Sequence, residues 1–182
     1  MLLTISGLPG SGKSTVGKIL AEKLNYRYFS MGDFRGQMAL KRGLTIDELN
    51  KLGEKEEWTD KEADNYQIKL GQTENNIVIE GRLSFHFIPH SFKIFLTADL
   101  KEAARRTLEN QAERPDEKPA RSLEEAERKL TKRLKSDKAR YLRYYQLDYT
   151  EPENYDLVLD TTFIPAAEVA RQILDKIKEK GL

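Results

Sequence analysis

The chain has 182 residues, enough for one sizeable core and short for two independent ones. Its 31 lysines and arginines balance 30 aspartates and glutamates, so no charge excess marks a nucleic-acid surface, and the basic groups that matter must be placed locally. Cysteine is absent, which excludes disulfide and thiol chemistry, and two histidines, His86 and His90, cannot form a zinc site alone and read as structural, so any metal is oxygen-bound. No stretch approaches the ~20 apolar residues of a membrane span and no leader pattern is seen, so a soluble, cytoplasmic protein without a membrane partner is expected.

The first apolar run, Leu2 to Ile5, reads as a strand and leads into GLPGSGKST, Gly7 to Thr15. This is a G-x-x-x-x-G-K-[ST] loop, in which glycines turn the backbone so that N–H groups point inward to phosphate oxygens at the start of a helix. Gly7, Leu8, Pro9, Gly10, Ser11, Gly12, Lys13, Ser14 and Thr15 are therefore expected to hold a nucleoside triphosphate. Lys13 reaches the β- and γ-phosphates, and the Ser14 hydroxyl is the expected magnesium ligand. A helix follows from Lys13 to Leu24, with Val16, Ile19, Leu20 and Leu24 on its buried stripe.

The second strand, Tyr26 to Phe29, ends in FSMGDFR. Ser30 offers a hydroxyl, Gly32 a permissive turn, Asp33 a carboxylate and Arg35 a fork suited to phosphate. In a parallel sheet this turn emerges on the same edge as the phosphate loop. The segment Gly32 to Asn76 is too long for a simple crossover and should fold as helices beside the sheet. Within it Asp60, Asp64 and Gln67 stand at i, i+4 and i+7, on one helical face, which suits either a solvated surface or the wall of a base pocket. Trp58 is expected to pack.

The third strand, Ile77 to Ile79, runs into EGRLS, which sets Arg82 at its tip, able to face a phosphate opposite Lys13. A fourth strand, Lys93 to Leu96, precedes a helix from about Asp99 to Asn110. QAERPDEKPARS, Gln111 to Ser122, is charged, lacks an apolar stripe and reads as a mobile hinge. Ser122 and Glu125 have capping-box spacing and start a long helix with Leu123, Leu130, Leu134, Tyr141 and Tyr145 inward. Arg133 and Arg140 share a neighbouring face with Lys129 and Ser136, which suits either a solvated basic face or a cover over a transferring phosphoryl group. A fifth strand, Leu157 to Leu159, and a helix from about Pro165 complete an α/β pattern with a parallel sheet. The Asp-x-x-Gly and Asn-Lys-x-Asp signals of a guanine-nucleotide switch are missing, and paired aspartates of the shikimate-kinase kind are absent from the second-strand turn.

Taken together, TISGLPGSGKST, SMGD, TDKEADNYQ, VIEGRLS, KSDKARYLRYYQLD and YDLVLDTT resemble nucleoside monophosphate kinases, and specifically the archaeal-type cytidylate kinases, over nearly the whole chain. The resemblance implies a P-loop NTPase fold of three α/β/α layers around a five-stranded parallel sheet, in one domain. Its core would be 1–31, 76–110 and 148–182, with an acceptor-nucleotide region at 32–75 and a lid at 111–147. It implies transfer of the γ-phosphoryl group of ATP, with magnesium, to CMP or dCMP by a monomer. Lys13, Arg82, Arg133 and Arg140 would act on the phosphates, and Ser30, Asp33, Arg35, Asp60, Asp64 and Arg82 would bind the acceptor. The alternatives are an adenylate or uridylate kinase of the same architecture, or an ATP-binding assembly factor of adenylate-kinase-like fold. Three features depart from the family pattern. Only Phe34 separates Asp33 from Arg35 where two residues are usual, Phe85–His86 replaces a Gly-Trp pair, and Gln111 to Ser122 exceeds the short family lid.

Overall fold

The computed structural model describes residues 1–113 and 117–181. These form a five-stranded, all-parallel sheet in the order β2-β3-β1-β4-β5, with β1 (Leu2–Gly7), β2 (Arg27–Ser30), β3 (Ile77–Glu80), β4 (Phe92–Thr97) and β5 (Leu157–Asp160). Every residue of β1 and β3 is buried, as a sheet covered on both faces requires, whereas the edge strands β2 and β5 are partly exposed.

One face packs on α1 (Lys13–Leu24) and α8 (Ala166–Glu179), through Val16, Leu20, Val169 and Ile173 against Leu3, Ile5, Val78 and Ile94. The other face meets the segment between β2 and β3, which folds as α2 (Met31–Lys41), α3 (Ile46–Gly53) and α4 (Trp58–Thr73). Met38, Leu49, Ala63 and Leu70 close there on Leu2, Ile77 and Ile79. A short α5 (Ser84–Phe87) follows β3, and α6 (Leu100–Glu109) follows β4. The long α7 (Leu123–Tyr145) packs on α6 through Ala103, Ala104, Ala126 and Leu130, and its far end joins Phe85, Phe95 and Tyr149 through Tyr141.

The five strand ends point the same way. In register, Ile5 and Ser30 both flank Glu80, Gly7 faces Leu96, and Thr97 faces Asp160, so the polar residues that close the strands share one edge. Each observed strand extends to a polar or glycine terminus beyond the apolar run that marks it in the sequence.

Several local expectations change. Ser122 does cap α7, accepting from the Glu125 N–H at 3.2 Å, but the Glu125 carboxylate accepts from the Arg121 N–H at 2.8 Å instead of reaching back to Ser122. The full capping box lies elsewhere, at Thr45 and Glu48 of α3. Trp58 does not pack into the core: it is 38% exposed, donates from Nε1 to Glu56, and lies under the Arg42 guanidinium at 5.0 Å. Of the hinge Gln111 to Ser122, Arg114, Pro115 and Asp116 lie outside the described residues. Its described parts are tied down: Ala120 donates to Gln111, and Lys129 donates to the carbonyls of Lys118 and Pro119. Among the described residues, no helix is long and apolar enough to cross a membrane.

Candidate active site

The phosphate loop is built by close approach. Gly10 has φ +75°, and a Cβ there would come within 2.6 Å of the Ala103 carbonyl on α6; at Gly7, φ +149°, a Cβ would collide with the Leu96 carbonyl of β4. Only glycine lets the loop pass between β1 and these neighbours. Lys13 is buried and folds back across the loop, donating from Nζ to the Leu8 carbonyl at 2.7 Å. Thr161, just after β5, donates to the Ser11 carbonyl at 3.0 Å, and Arg106 grips the carbonyls of Thr161 and Thr162, which ties the β5 loop to the phosphate loop.

The Ser14 hydroxyl donates to Glu80 Oε2 at 2.9 Å, and the Tyr28 hydroxyl donates to the same oxygen at 2.7 Å. Burial, followed by the Glu80 charge, pushes the Tyr28 phenol up, so it remains a donor at neutral pH. Glu80 had been read from the sequence only as a strand end. The signal that finds it is register: it stands between Ile5 and Ser30, directly beside the phosphate loop. A hydroxyl and a carboxylate are hard oxygen donors that suit magnesium. Among the described residues no group of three or more His, Cys, Asp or Glu forms a cage, which fits an ion held largely by phosphates and water.

On the other side of Lys13, α2, α3, α4 and α7 bring together a charged cluster. Arg35 donates to Asp60 at 2.7 Å, to the Thr59 carbonyl at 2.8 Å and to Asn50 at 3.1 Å, so the short Asp33–Arg35 spacing directs Arg35 into the site. Arg140, 2% exposed, donates to Asp137 at 2.9 Å and Asn50 at 3.1 Å, with Nε 3.4 Å from Asp60. Arg82 Nε lies 2.6 Å from Asp137 Oδ2, an ion pair whose angle does not make a hydrogen bond. Three arginines thus face two aspartates in a nearly dry space, leaving positive charge for an anion. Burial alone would lower Arg82 and Arg140, but Asp137 beside Arg82, and Tyr141, Asp137 and Asp60 beside Arg140, raise both on balance and keep them charged. Asp137, on the inner face of α7, is a second residue the sequence reading passed over.

Two cavities open onto these groups. One, of about 460 Å³, is lined by Arg35, Asn50 and Arg140; the other, of about 1140 Å³, runs along Gly10, Thr15, Arg106 and Asn110. Lys13, Gly32, Glu80, Arg82 and Arg133 line both. Arg133 reaches this junction from α7, paired with Glu117 at 2.6 Å. The rest of its face holds α7 in place: Ser136 donates to Glu54 at 2.7 Å, and Tyr144 to the Gly53 carbonyl at 2.7 Å.

Other expected residues sit differently. Ser30 is buried and caps α2, accepting from the Asp33 N–H at 3.1 Å, while Asp33 itself is exposed and lines neither cavity. The face carrying Asp60, Asp64 and Gln67 is buried and not solvated. Asp64 accepts a short hydrogen bond from Tyr145 and another from Gln67 at 3.1 Å, and Ser84 donates to Gln67 at 2.9 Å. His86 and His90 are both exposed, the His86 ring lying edge-on to Phe87.

Burial, with Asp60 adding to it and the Tyr145 hydrogen bond opposing, pushes Asp64 up to about 6 from the ordinary 3.8. The native state therefore holds this proton more tightly than the unfolded chain. Stability should rise as pH falls through about 6, with the gain complete below 3.8 and the burial penalty fully felt above about 6. Asp64→Asn is expected to flatten this dependence, by the order of 1 kcal/mol between pH 7 and pH 5 in urea unfolding. Equal slopes in the two proteins would show that Asp64 is solvated.

The pattern of the cytidylate kinase-like family matches residues 2–163. A protein named cytidylate kinase from Natronomonas pharaonis is 40% identical over 163 residues, covering 88% of this chain and 81% of that protein. A protein named S-adenosylmethionine-dependent nucleotide dehydratase from Lacinutrix mariniflava is 35% identical over 182 residues, which is 98% of this chain but 36% of that relative's length. Among solved structures, shikimate kinase from Acinetobacter baumannii in complex with shikimate matches with a TM-score of 0.64 at 20% identity, covering 100% of this chain and 94% of that one, a likeness of fold. The family match runs from β1 to just past β5 and takes in the phosphate loop, Glu80 and the arginine cluster, and the chain belongs to the cytidylate kinase-like family.

Proposed function

We propose that the protein transfers the γ-phosphoryl group of ATP to CMP or dCMP, giving ADP and CDP or dCDP. The observation that carries this reading is the pair of cavities that meet at Lys13, Glu80, Arg82 and Arg133. A nucleotide switch needs one phosphate cavity; a transfer between two anions needs two that share a wall.

The donor phosphates would lie on the N–H groups of the loop and the start of α1, where the helix dipole favours negative charge. Lys13 would leave the Leu8 carbonyl for the phosphate oxygens. Magnesium, when bound, neutralises charge on the donor phosphates, and Ser14 and Glu80 are the residues that would hold it. Arg35, Arg82 and Arg140 would orient the acceptor's phosphate, while Arg133 from α7 stabilises charge on the group in transit. The acceptor oxygen is already ionised, so no general base is required. α7, spanning from α6 to α3, would keep water from the junction so that transfer outruns hydrolysis. The chain would work as a monomer divided into core, acceptor region 32–75 and lid 111–147.

Asp60 and Asp64 would accept from the exocyclic amine of cytosine, an amine that uracil lacks. The Lacinutrix relative's named activity is not carried over, because most of that protein has no counterpart in this chain. A coupled ADP-release assay with CMP, dCMP, AMP, UMP and shikimate tests the acceptor. CMP or dCMP should give kcat/KM at least about tenfold above the rest, the scale of one unsatisfied polar group in a binding site. AMP or UMP leading the series would select the other monophosphate kinases, and partner-dependent ATP hydrolysis without any acceptor would select the assembly factor.

A further inference from the structure

Resting on this reading of the donor site, we infer that Tyr28 is a positioning residue for the metal–nucleotide site, acting through Glu80, and that Gly17 is retained in α1 to admit its ring. Tyr28 lies on edge strand β2, outside the phosphate loop and the acceptor cluster, and neither cavity is lined by it. Its hydroxyl nevertheless reaches Glu80 Oε2 at 2.7 Å, beneath the point where Ser14 reaches the same oxygen at 2.9 Å.

Two hydroxyl donors on one carboxylate oxygen set the rotamer of Glu80. They do not play equal parts once a nucleotide arrives. The Ser14 hydroxyl, standing in the phosphate loop, is the one that would turn to magnesium and loosen its hold on Glu80. The Tyr28 hydroxyl would remain on Glu80 and help keep the carboxylate directed at the place where the ion would be held.

The path of the ring supplies a separate observation. A Cβ on Gly17 would come within 2.8 Å of Tyr28 Cε2 and 3.4 Å of both Tyr28 Cδ2 and Ile5 Cδ1. Gly17 is buried in the middle of α1 with an ordinary helical backbone, a position where glycine weakens a helix relative to alanine. Its conformation does not call for glycine, but the ring passing over it does.

Tyr28→Phe removes only the hydroxyl and leaves the ring in its slot. Gly17→Ala keeps the hydroxyl on the residue but displaces the ring that carries it to Glu80. Both variants should fall in the same functional class although the two residues share no direct role in chemistry. The test is titration of Mn²⁺ into protein with ADP, read by electron paramagnetic resonance, alongside the Mg²⁺ dependence of ATP turnover and the thermal midpoint. For Tyr28→Phe, the Mn²⁺ dissociation constant and the half-saturating Mg²⁺ should each rise about tenfold, the scale of one hydrogen bond to a charged group. The acceptor's KM should change less than about twofold, as expected when only the donor's metal is loosened. Gly17→Ala should show the same split with a metal effect of similar size.

Wild-type metal affinity in Tyr28→Phe would overturn the inference, and so would equal losses in metal affinity, acceptor KM and thermal midpoint, the pattern of a residue that merely supports the fold. Mn²⁺–ADP binding needs no acceptor, so it separates two failures. If the wild-type protein binds no Mn²⁺ with ADP, the donor-site reading itself fails; if it binds and the variants match it, only the role of Tyr28 fails.

Discussion

Lys13→Ala is expected to lower kcat for phosphoryl transfer by about 10²–10³-fold or more, the loss seen when one preorganised charge-stabilising donor is removed from a transition state. The overall fold should be kept. Lys13 is buried at the wall shared by the two cavities, and its amine donates to the Leu8 carbonyl at 2.7 Å. That carbonyl can be met by water once the side chain is short. Its amine sits at the phosphate loop itself, and no other lysine lines either cavity among the described residues. Steady-state turnover and the thermal midpoint, measured on the same preparation, check this. Near-normal turnover in the variant would place the donor phosphates elsewhere.

The largest stability effect is expected at Arg140. Its guanidinium contacts Asp137, Asn50 and Asp60 at once, and it is among the most buried large side chains of the protein. Arg140→Met fills much of the volume but leaves two buried carboxylates short of a partner, which typically costs about 3–5 kcal/mol. For a chain of this size each kcal/mol shifts the thermal midpoint by about 2–4 °C, so a fall of roughly 10 °C is expected. Arg140→Lys should not rescue it, because a single ammonium cannot span the three acceptors of a planar fork. Arg133 is the contrast. It pairs with Glu117 where both side chains are partly exposed, and Arg133→Met should cost about 1 kcal/mol or less in stability while still lowering turnover. Differential scanning calorimetry of both variants separates the two roles; equal midpoints for the two would mean that the Arg140 cluster is solvated.

The difference between these arginines also shows what a sequence can convey. The phosphate loop is legible because all its requirements are local: the glycines, the lysine and the helix that follows occur within a dozen residues. The strands are legible in their apolar centres but not at their ends. Ser30, Glu80 and Asp160 carry no apolar signal, and they close the strands along one edge of the sheet. Glu80 escaped notice for that reason. Asp137 escaped because it stands in KSDKAR, where charge of either sign looks like solvated surface, and only the packing of α7 turns it inward toward Arg82 and Arg140. Spacing placed Asp60, Asp64 and Gln67 on one face of α4, and tertiary contact decided that the face is buried. Ser30 and Asp33 form a plausible ligand pair in the sequence; in the fold the Ser30 hydroxyl also caps α2, and Asp33 is exposed.

The fate of the terminal phosphate decides the central claim. With ATP labelled in its γ-phosphoryl group, magnesium and CMP, the label should appear in CDP in equal amount to the ADP formed, with little inorganic phosphate. Label recovered only as inorganic phosphate, or retained in ATP while CMP is in excess, would contradict a two-substrate site built around Lys13.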